Sequence, residues 1–497
     1  MISGIVAAGL VALWAISLPV ISKWAFSQDK IASDLGEATS GTVKFSSFRN
    51  IYFPHPGCIA EGVIIHRKDT DGASPLITVR RLTVLSNLSG IVHKRVSIMK
   101  AEGLEVTPGG KGWPENTSKS TIVIEQLVAD NALLHVLHDG SGKSLEFKVH
   151  HFALENVGGD DAMPFDVELT NAIPPGEISA SGKIGPWKEQ QRDETKISGS
   201  YSFQHADLSA IPGIAGLLSS EGKFQGTVRQ LHVTGDTDTP QFEVTSTKHQ
   251  FPLRTHFEAE VNGTTGDVIL QHVQAKLSDT EIVGQGTVMP DSQHRRTATL
   301  EFSADEGHIQ DVVFPFVHKP RSPVNGIASF RGRVVLPSGN EPFLRRVKLE
   351  ADFGIENVHA TSPKIQEQLN EASERARGHP DADDPENVVS DLEGHVALTN
   401  GVARFSKFSF TVPGAFAAMY GTYNVVDQRI NLRGTLRLEA KITDTTAGFK
   451  GFLLKAISPF IKKNKPQAPL PVAVTGTFDH PQYSVSVTKD NQHRHGM

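Results

Sequence analysis

Cysteine is nearly missing from this chain of 497 residues: Cys58 stands alone, which excludes an internal disulfide framework and any multi-cysteine metal site. Assembled catalytic signatures are missing too. No Gly-x-Ser-x-Gly elbow, His-Glu-x-x-His pair or dinucleotide fingerprint occurs, and the 21 histidines are scattered without ligand spacing. Gly140-Ser141-Gly142-Lys143-Ser144 imitates a phosphate loop, but Leu137 occupies the first glycine position and β-type sequence follows where a helix is needed. These absences predict a protein that is not an enzyme, with no catalytic residue, no metal and no cofactor. The net charge is -6 and the one strong basic cluster is mixed with bulky apolar side chains, so no nucleic-acid partner is expected. At 38% hydrophobic residues the chain is neither a polytopic membrane protein nor a disordered tail.

Charge is also missing from the first 22 residues. As a helix that run reaches roughly 33 Å, enough to cross the hydrocarbon core of a bilayer. Lys23 is the first charge and Trp24 follows it, placing an aromatic ring at the interface; Trp14 is the other tryptophan expected to meet lipid. A cleaved signal peptide would show a basic start, a shorter apolar core and a small-x-small site, none of which is clear, so residues 1–25 are read as an uncleaved membrane anchor. Its orientation is left open by the charges alone.

Beyond residue 40 the dominant pattern is strict alternation, which puts every second side chain on one face of a strand. In residues 429–442, Ile430, Leu432, Gly434, Leu436, Leu438, Ala440 and Ile442 share one face while Arg429, Asn431, Arg433, Thr435, Arg437, Glu439 and Lys441 share the other. Leu300 and Phe302, Val347, Leu349 and Phe353, and Phe257 and Val261 recur in the same way against polar neighbours. Strands with one dry and one wet face belong to antiparallel sheets. Turn signals such as Asn262-Gly263, Ser338-Gly339-Asn340 and Asn400-Gly401 separate them. A strand interrupted by glycine recurs in 178–184, 221–228, 282–288 and 472–478, as weakly repeated units would. The alternation fits equally a long twisted ribbon curled into a gutter or two to three β-sandwiches with filled cores.

Short helices are expected over 26–38, 206–218 and 308–317, and a longer one begins at Ser362-Pro363 with Ile365, Leu369, Ala372 and Ala376 on one stripe, followed by a Pro- and Asp-rich flexible connector. In residues 445–465, Phe449, Phe452, Leu453 and Phe460 are interleaved with Lys450, Lys455, Lys462 and Lys463, and no acid occurs between Asp444 and Asp479. Such a segment suits a membrane surface bearing anionic headgroups, or a helix plugging the end of the β body.

Several stretches stand out together: Phe353-Gly354-Ile355-Glu356-Asn357, Phe408-Ser409-Phe410-Thr411-Val412-Pro413-Gly414-Ala415, Tyr420-Gly421-Thr422-Tyr423 and Gly434-Thr435-Leu436-Arg437-Leu438, then the closing stretch Leu470-Pro471-Val472-Ala473-Val474-Thr475-Gly476-Thr477. Through them, and read end to end, the sequence resembles the AsmA-like family of bacterial envelope proteins. The resemblance implies an inner-membrane anchor with the body in the periplasm and an apolar groove of repeated β units. It also implies a role in moving phospholipid toward the outer membrane or in maintaining that membrane.

The resulting expectation is a mostly β protein: an N-terminal transmembrane helix, then an elongated, twisted antiparallel sheet curled into a groove, with a few short helices. Its regions are the anchor 1–25, β-groove regions 26–190 and 191–361, a helix and connector 362–390, and a C-terminal region 391–497 containing the basic segment 445–465. Groove candidates are Phe257, Val261, Leu300, Phe302, Val347, Leu349, Phe353, Phe408, Phe410, Ile430, Leu432, Leu436 and Leu438. Membrane-contact candidates are Trp14, Trp24, Phe449, Lys450, Phe452, Leu453, Lys455, Phe460, Lys462 and Lys463. The expected partners are the inner membrane, a phospholipid or other diacyl lipid, and an outer-membrane or periplasmic protein at the C-terminal end. A structural or assembly factor for outer-membrane biogenesis, without lipid conduction, is the alternative.

Overall fold

The structure is a computed structural model that describes residues 26–39, 41–67, 76–107, 122–137, 144–186, 191–292, 296–317, 319–361, 363, 366–367, 370, 390–438, 469–477 and 480–485. Strands dominate it. In chain order they are β1 (Gly41–Lys44), β2 (Ser47–Ile51), β3 (Gly57–Arg67), β4 (Ile77–Leu85), β5 (Arg95–Val106), β6 (Val123–Leu137), β7 (Ser144–Val157), β8 (Met163–Asn171), β9 (Gly176–Ile184) and β10 (Lys196–Asp207). There follow β11 (Ile214–Ala215), β12 (Leu217–Thr227), β13 (Leu231–Val244), β14 (His249–Val261), β15 (Val268–Leu277), β16 (Thr280–Pro290), β17 (Arg296–His308), β18 (Val324–Pro337) and β19 (Lys348–Ala360). The last are β20 (Ser390–Thr399), β21 (Val402–Val412), β22 (Ala415–Asn424), β23 (Arg429–Leu438), β24 (Leu470–Thr477) and β25 (Pro481–Val485). The described helices are short: α1 (Gln28–Thr39), α2 (Leu88–Val92), α3 (Ile309–Val313) and α4 (Phe343–Arg346), with single 3-10 turns at Arg192–Glu194, Leu208–Ala210 and Phe314–Phe316.

The chain divides into two compact units, the first made of 1–210, 218–237 and 258–268, the second of 211–217, 238–257 and 269–497. In the first unit β1 and β2 both pair with β3, and the ladder continues through β4, β5, β6, β7, β8 and β9 to β10. One pair departs from the antiparallel expectation: β5 and β6 run parallel, Arg95 opposite Val123. A parallel pair needs a connection of about a dozen residues or more to bring the chain back to its starting end, and residues 107–122 supply that length.

The core of this unit forms where α1 lies over the sheet. Ile31 and Leu35, one helical turn apart, face down with Phe26 onto Cys58, Ala60, Val63, Ile65, Val79, Leu82 and Val84. The backbone N–H of Lys30 meets Ser27 Oγ at 3.4 Å, so Ser27 acts as the cap, and Asn50 Nδ2 donates to Phe26 O at 2.9 Å to hold the entry of the helix. One apolar row runs across nine strands: Phe48, Ala60, Leu82, Ala101, Ala129, Phe152, Val167, Ala180 and Tyr201 stand opposite one another in turn. From Ala60 to Ala129 the row is buried; from Phe152 to Tyr201 it is half-buried. The filled core therefore ends after β6, while the apolar face goes on.

The opposite face of the same strands carries a charge ladder. Arg81 lies 3.2 Å from Glu61 and 4.0 Å from Glu102, Lys100 lies 3.6 Å from Glu102 and 2.9 Å from Asp130, and His151 Nδ1 lies 2.8 Å from Asp130. Hydrogen bonding from Lys100, reinforced by His151, holds the Asp130 carboxyl below its ordinary range. Exposed pairs of this kind contribute little to stability. Their clearer role is to mark this face as wet.

In the second unit β16 to β25 form ten successive antiparallel strands. Their span is on the order of 43 Å at the usual inter-strand spacing. The ladder is open, since β25 pairs only with β24 among the described strands. The β20–β21 connection is the two-residue hairpin its sequence demands: Asn400 and Gly401 both have positive φ, 51° and 74°, and Thr399 faces Val402. The turn α3, covering Ile309, Ala328, Ile355 and Val358 with Phe330 and Phe353 alongside, gives this unit a small closed core at one end.

The helices expected over 26–38 and 308–317 correspond to α1 and to α3 with its following 3-10 turn. The helix expected over 206–218 does not form. Only a 3-10 turn, Leu208–Ala210, is present; Pro212 stops it, and Ile214 and Ala215 pair with Val244 and Glu243 instead. Sheet hydrogen bonding thus wins over an apolar spacing that imitates a helix. The helix expected from Ser362 falls largely outside the described residues.

Candidate functional site: a two-faced sheet

The register of β16–β25 sorts most side chains into an apolar and a polar face. On the apolar face one row reads Phe302, Gly332, Ala351, Val396, Phe405, Gly421, Leu432 and Val474. A second reads Leu300, Val334, Leu349, Leu398, Ala403, Tyr423 and Ile430, and a third Ile355, Leu392, Phe410, Ala417, Leu436 and Leu470. Burial is what distinguishes this face from a core. In these rows only Ala351, Ala403, Ala417 and Ile355 are buried, and Phe302, Leu300, Leu349, Phe405, Phe410, Ile430, Leu432 and Leu436 are half-buried.

Aromatic rings concentrate in the middle of the face. Phe353, Phe405 and Phe408 form a triangle with centroids 6.4, 6.3 and 5.7 Å apart, and Phe302 meets Phe330 edge-on at 6.0 Å. Phe405 and Phe408 can both join it because the ladder between β21 and β22 slips there, setting Ser406 and Lys407 together opposite the single residue Tyr420. Gly434, on the same face, owes its identity to the backbone: a Cβ there would run into the Ala418 carbonyl and come within 2.8 Å of Met419 Cα.

Of the residues expected to line a groove, Leu300, Phe302, Leu349, Phe353, Phe408, Phe410, Ile430, Leu432 and Leu436 share this face. Leu438 ends β23 opposite Ala415. Val347 is placed differently: it closes α4, its N–H donating to Phe343 O at 2.9 Å, and is only 5% exposed. Phe257 and Val261 lie half-buried on β14, Phe257 in the second unit and Val261 in the first. All the membrane-contact candidates, Trp14, Trp24, Phe449, Lys450, Phe452, Leu453, Lys455, Phe460, Lys462 and Lys463, fall outside the described residues, as does the expected anchor 1–25. Among the described residues no helix is long and apolar enough to cross a membrane.

The polar face of the second unit holds an open depression of about 710 Å³ across β15–β20, lined by Gln285, Glu301, Arg331, Arg333, Glu350, Asp352 and His395 among others. Sequence alternation did not reveal it, because its residues meet only through cross-strand register. Asp352, His395 and Ser406 stand in a row on neighbouring strands, the residue types of a hydrolytic triad. The histidine is turned away from that chemistry: Nδ1 lies 2.8 Å from Asp352 and Nε2 lies 3.6 Å from Glu350, so both nitrogens face carboxylates. Among the described residues no group of three or more His, Cys, Asp or Glu side chains is placed to hold a metal ion. Cys58 sits in the first unit's core, 1% exposed, and burial pushes its thiol up to about 12.

No family model, no curated protein and no solved structure matches this chain.

Proposed function

We propose that this is an inner-membrane-anchored protein, held by residues 1–25, whose β body lies in the periplasm and takes phospholipid acyl chains onto its apolar face. In that role it supports lipid transport to the outer membrane or the integrity of that membrane. The observation that carries the reading is the half-buried state of the large apolar side chains on β17–β24; within the first unit, Phe152, Val167 and Tyr201 are half-buried as well. A curl of the ribbon about this face makes it a groove. Each CH₂ of an acyl chain moved from water onto it contributes roughly 0.8 kcal/mol, so binding needs no bond to be made or broken and no cofactor.

The test is mass spectrometry of lipid carried through purification of the full chain in mild detergent. Phospholipid is expected at or above one molecule per chain. A Leu432→Glu/Leu436→Glu variant, whose charges face the bound chains, is expected to lose most of it at an unchanged circular dichroism spectrum. Lipid-free wild-type protein, or a folded variant that keeps its lipid, overturns the reading. The filled core beneath α1 favours a second reading, a structural or assembly factor, for the first few strands alone.

A further inference from the structure

Among the described residues, the polar face of β22 and β23 carries cations that no carboxylate pairs with. Arg433 stands opposite Tyr420 and Arg437 opposite Phe416, all four pointing away from the apolar rows. Lys407 is exposed in the bulge facing Tyr420. The strands β22, β23 and β24 contain no acidic residue. Asp427, in the turn before β23, is engaged by Arg429 at 3.3 Å. Among the described residues the nearest acids on the same face, Asp391 and Glu393, lie on β20, two strands from β22 and three from β23, and Glu393 already accepts from Ser409 Oγ at 3.1 Å. Among the described residues Arg433 and Arg437 make no ion pair.

Beside these guanidinium groups two aromatic rings are held out in solvent, Tyr420 at 60% and Phe416 at 39% exposure. A strand face normally turns such rings inward, and here the inward positions are taken by Ala417, Met419 and Gly421. Cations beside exposed aromatic rings on a flat sheet match the headgroup layer of an anionic bilayer, where phosphates meet the cations and rings settle at the interface. A nucleic acid would also use arginine and stacking rings, but the net charge of -6 works against it. Further along the sequence, beyond Glu439 and Asp444, Lys450, Lys455, Lys462 and Lys463 are again set among phenylalanines.

We propose that the polar face of β22–β23, centred on Arg433, Arg437, Tyr420 and Phe416, docks on the surface of an anionic phospholipid bilayer. The contact draws on the membrane setting proposed above but not on lipid carriage by the opposite face. For the test, the full chain held in phosphatidylcholine nanodiscs is mixed with sucrose-loaded vesicles in which phosphatidylglycerol makes up a third of the lipid, and sedimented. The nanodiscs are expected to pellet with these vesicles, more weakly at high salt, and not with vesicles of phosphatidylcholine alone. An Arg433→Ala/Arg437→Ala variant is expected to bind about thirtyfold more weakly, while the double lysine variant retains most binding. If the alanine variant unfolds, Tyr420→Ser serves in its place, with a weaker but measurable loss. Failure of the wild type to pellet, equal pelleting of the folded variant, or tighter binding to a single-stranded oligonucleotide through the same arginines overturns the proposal. Lipid co-purified with the alanine variant stays at the wild-type amount, so loss of carriage and loss of docking are read separately.

Discussion

Between pH 9 and pH 12 the unfolding free energy of the chain is expected to fall, relative to that of a Cys58→Ala variant, by up to about 4 kcal/mol. Below pH 9 the Cys58 thiol is protonated whether the chain is folded or not, and it contributes no pH dependence. Above that point the unfolded chain releases the proton while the folded chain, with the thiol pushed up to about 12, retains it. The unfolded state then binds fewer protons, so stability declines as pH rises, at about 1.4 kcal/mol per pH unit, until the folded thiol also ionises. The physical cause is the packing of Cys58 against Val84 and Ala60 under α1, which leaves no water or cation beside a thiolate. Urea titrations of both chains at several pH values check it, since other alkaline groups are common to the two; parallel stability curves would sink the expectation. Modification by a thiol reagent at pH 8 is likewise expected to be orders of magnitude slower in native buffer than in denaturant.

Replacing Gly434 by valine is expected to destabilise the second unit by about 3 kcal/mol, with Gly434→Ala costing at least about 1 kcal/mol. The added Cβ would meet the Ala418 carbonyl and Met419 Cα, atoms of the neighbouring strand's backbone that no rotamer change can move. Truncating Met419 therefore does not rescue the variant. If the glycine were there only to leave room for a lipid chain, Gly434→Ala would keep its thermal midpoint and lose bound lipid instead. Thermal unfolding together with lipid content separates the two cases.

Much of this architecture is legible in the residues themselves. Alternation alone puts Ile430, Leu432 and Leu436 on one face and Arg433 and Arg437 on the other, because a strand has a period of two and nothing else need be known. Asn400-Gly401 announces its hairpin for an equally local reason. What the pattern leaves open is which apolar residues are covered. Ala129 and Phe152 face the same way on adjacent strands, yet only Ala129 is buried, since burial depends on how far α1 reaches across the sheet. The parallel β5–β6 pair depends on where a long connection returns, and periodicity carries no such information. The cation patch is partly visible as arginines on an outward face, but the facing rings of Tyr420 and Phe416 become its neighbours only once β22 and β23 are in register.

The passage of apolar rows across β17–β24 bears on movement as well as on the binding proposed above. Each of these strands presents a similar greasy step, about 4.8 Å beyond the last, so an acyl chain lying across the rows would gain a new contact ahead as it gave up one behind. Such a surface acts as a shallow washboard: the barrier to sliding is set by a single step rather than by the whole binding energy. If this face carries lipid as proposed, tight holding and easy travel across the second unit's strands are then compatible.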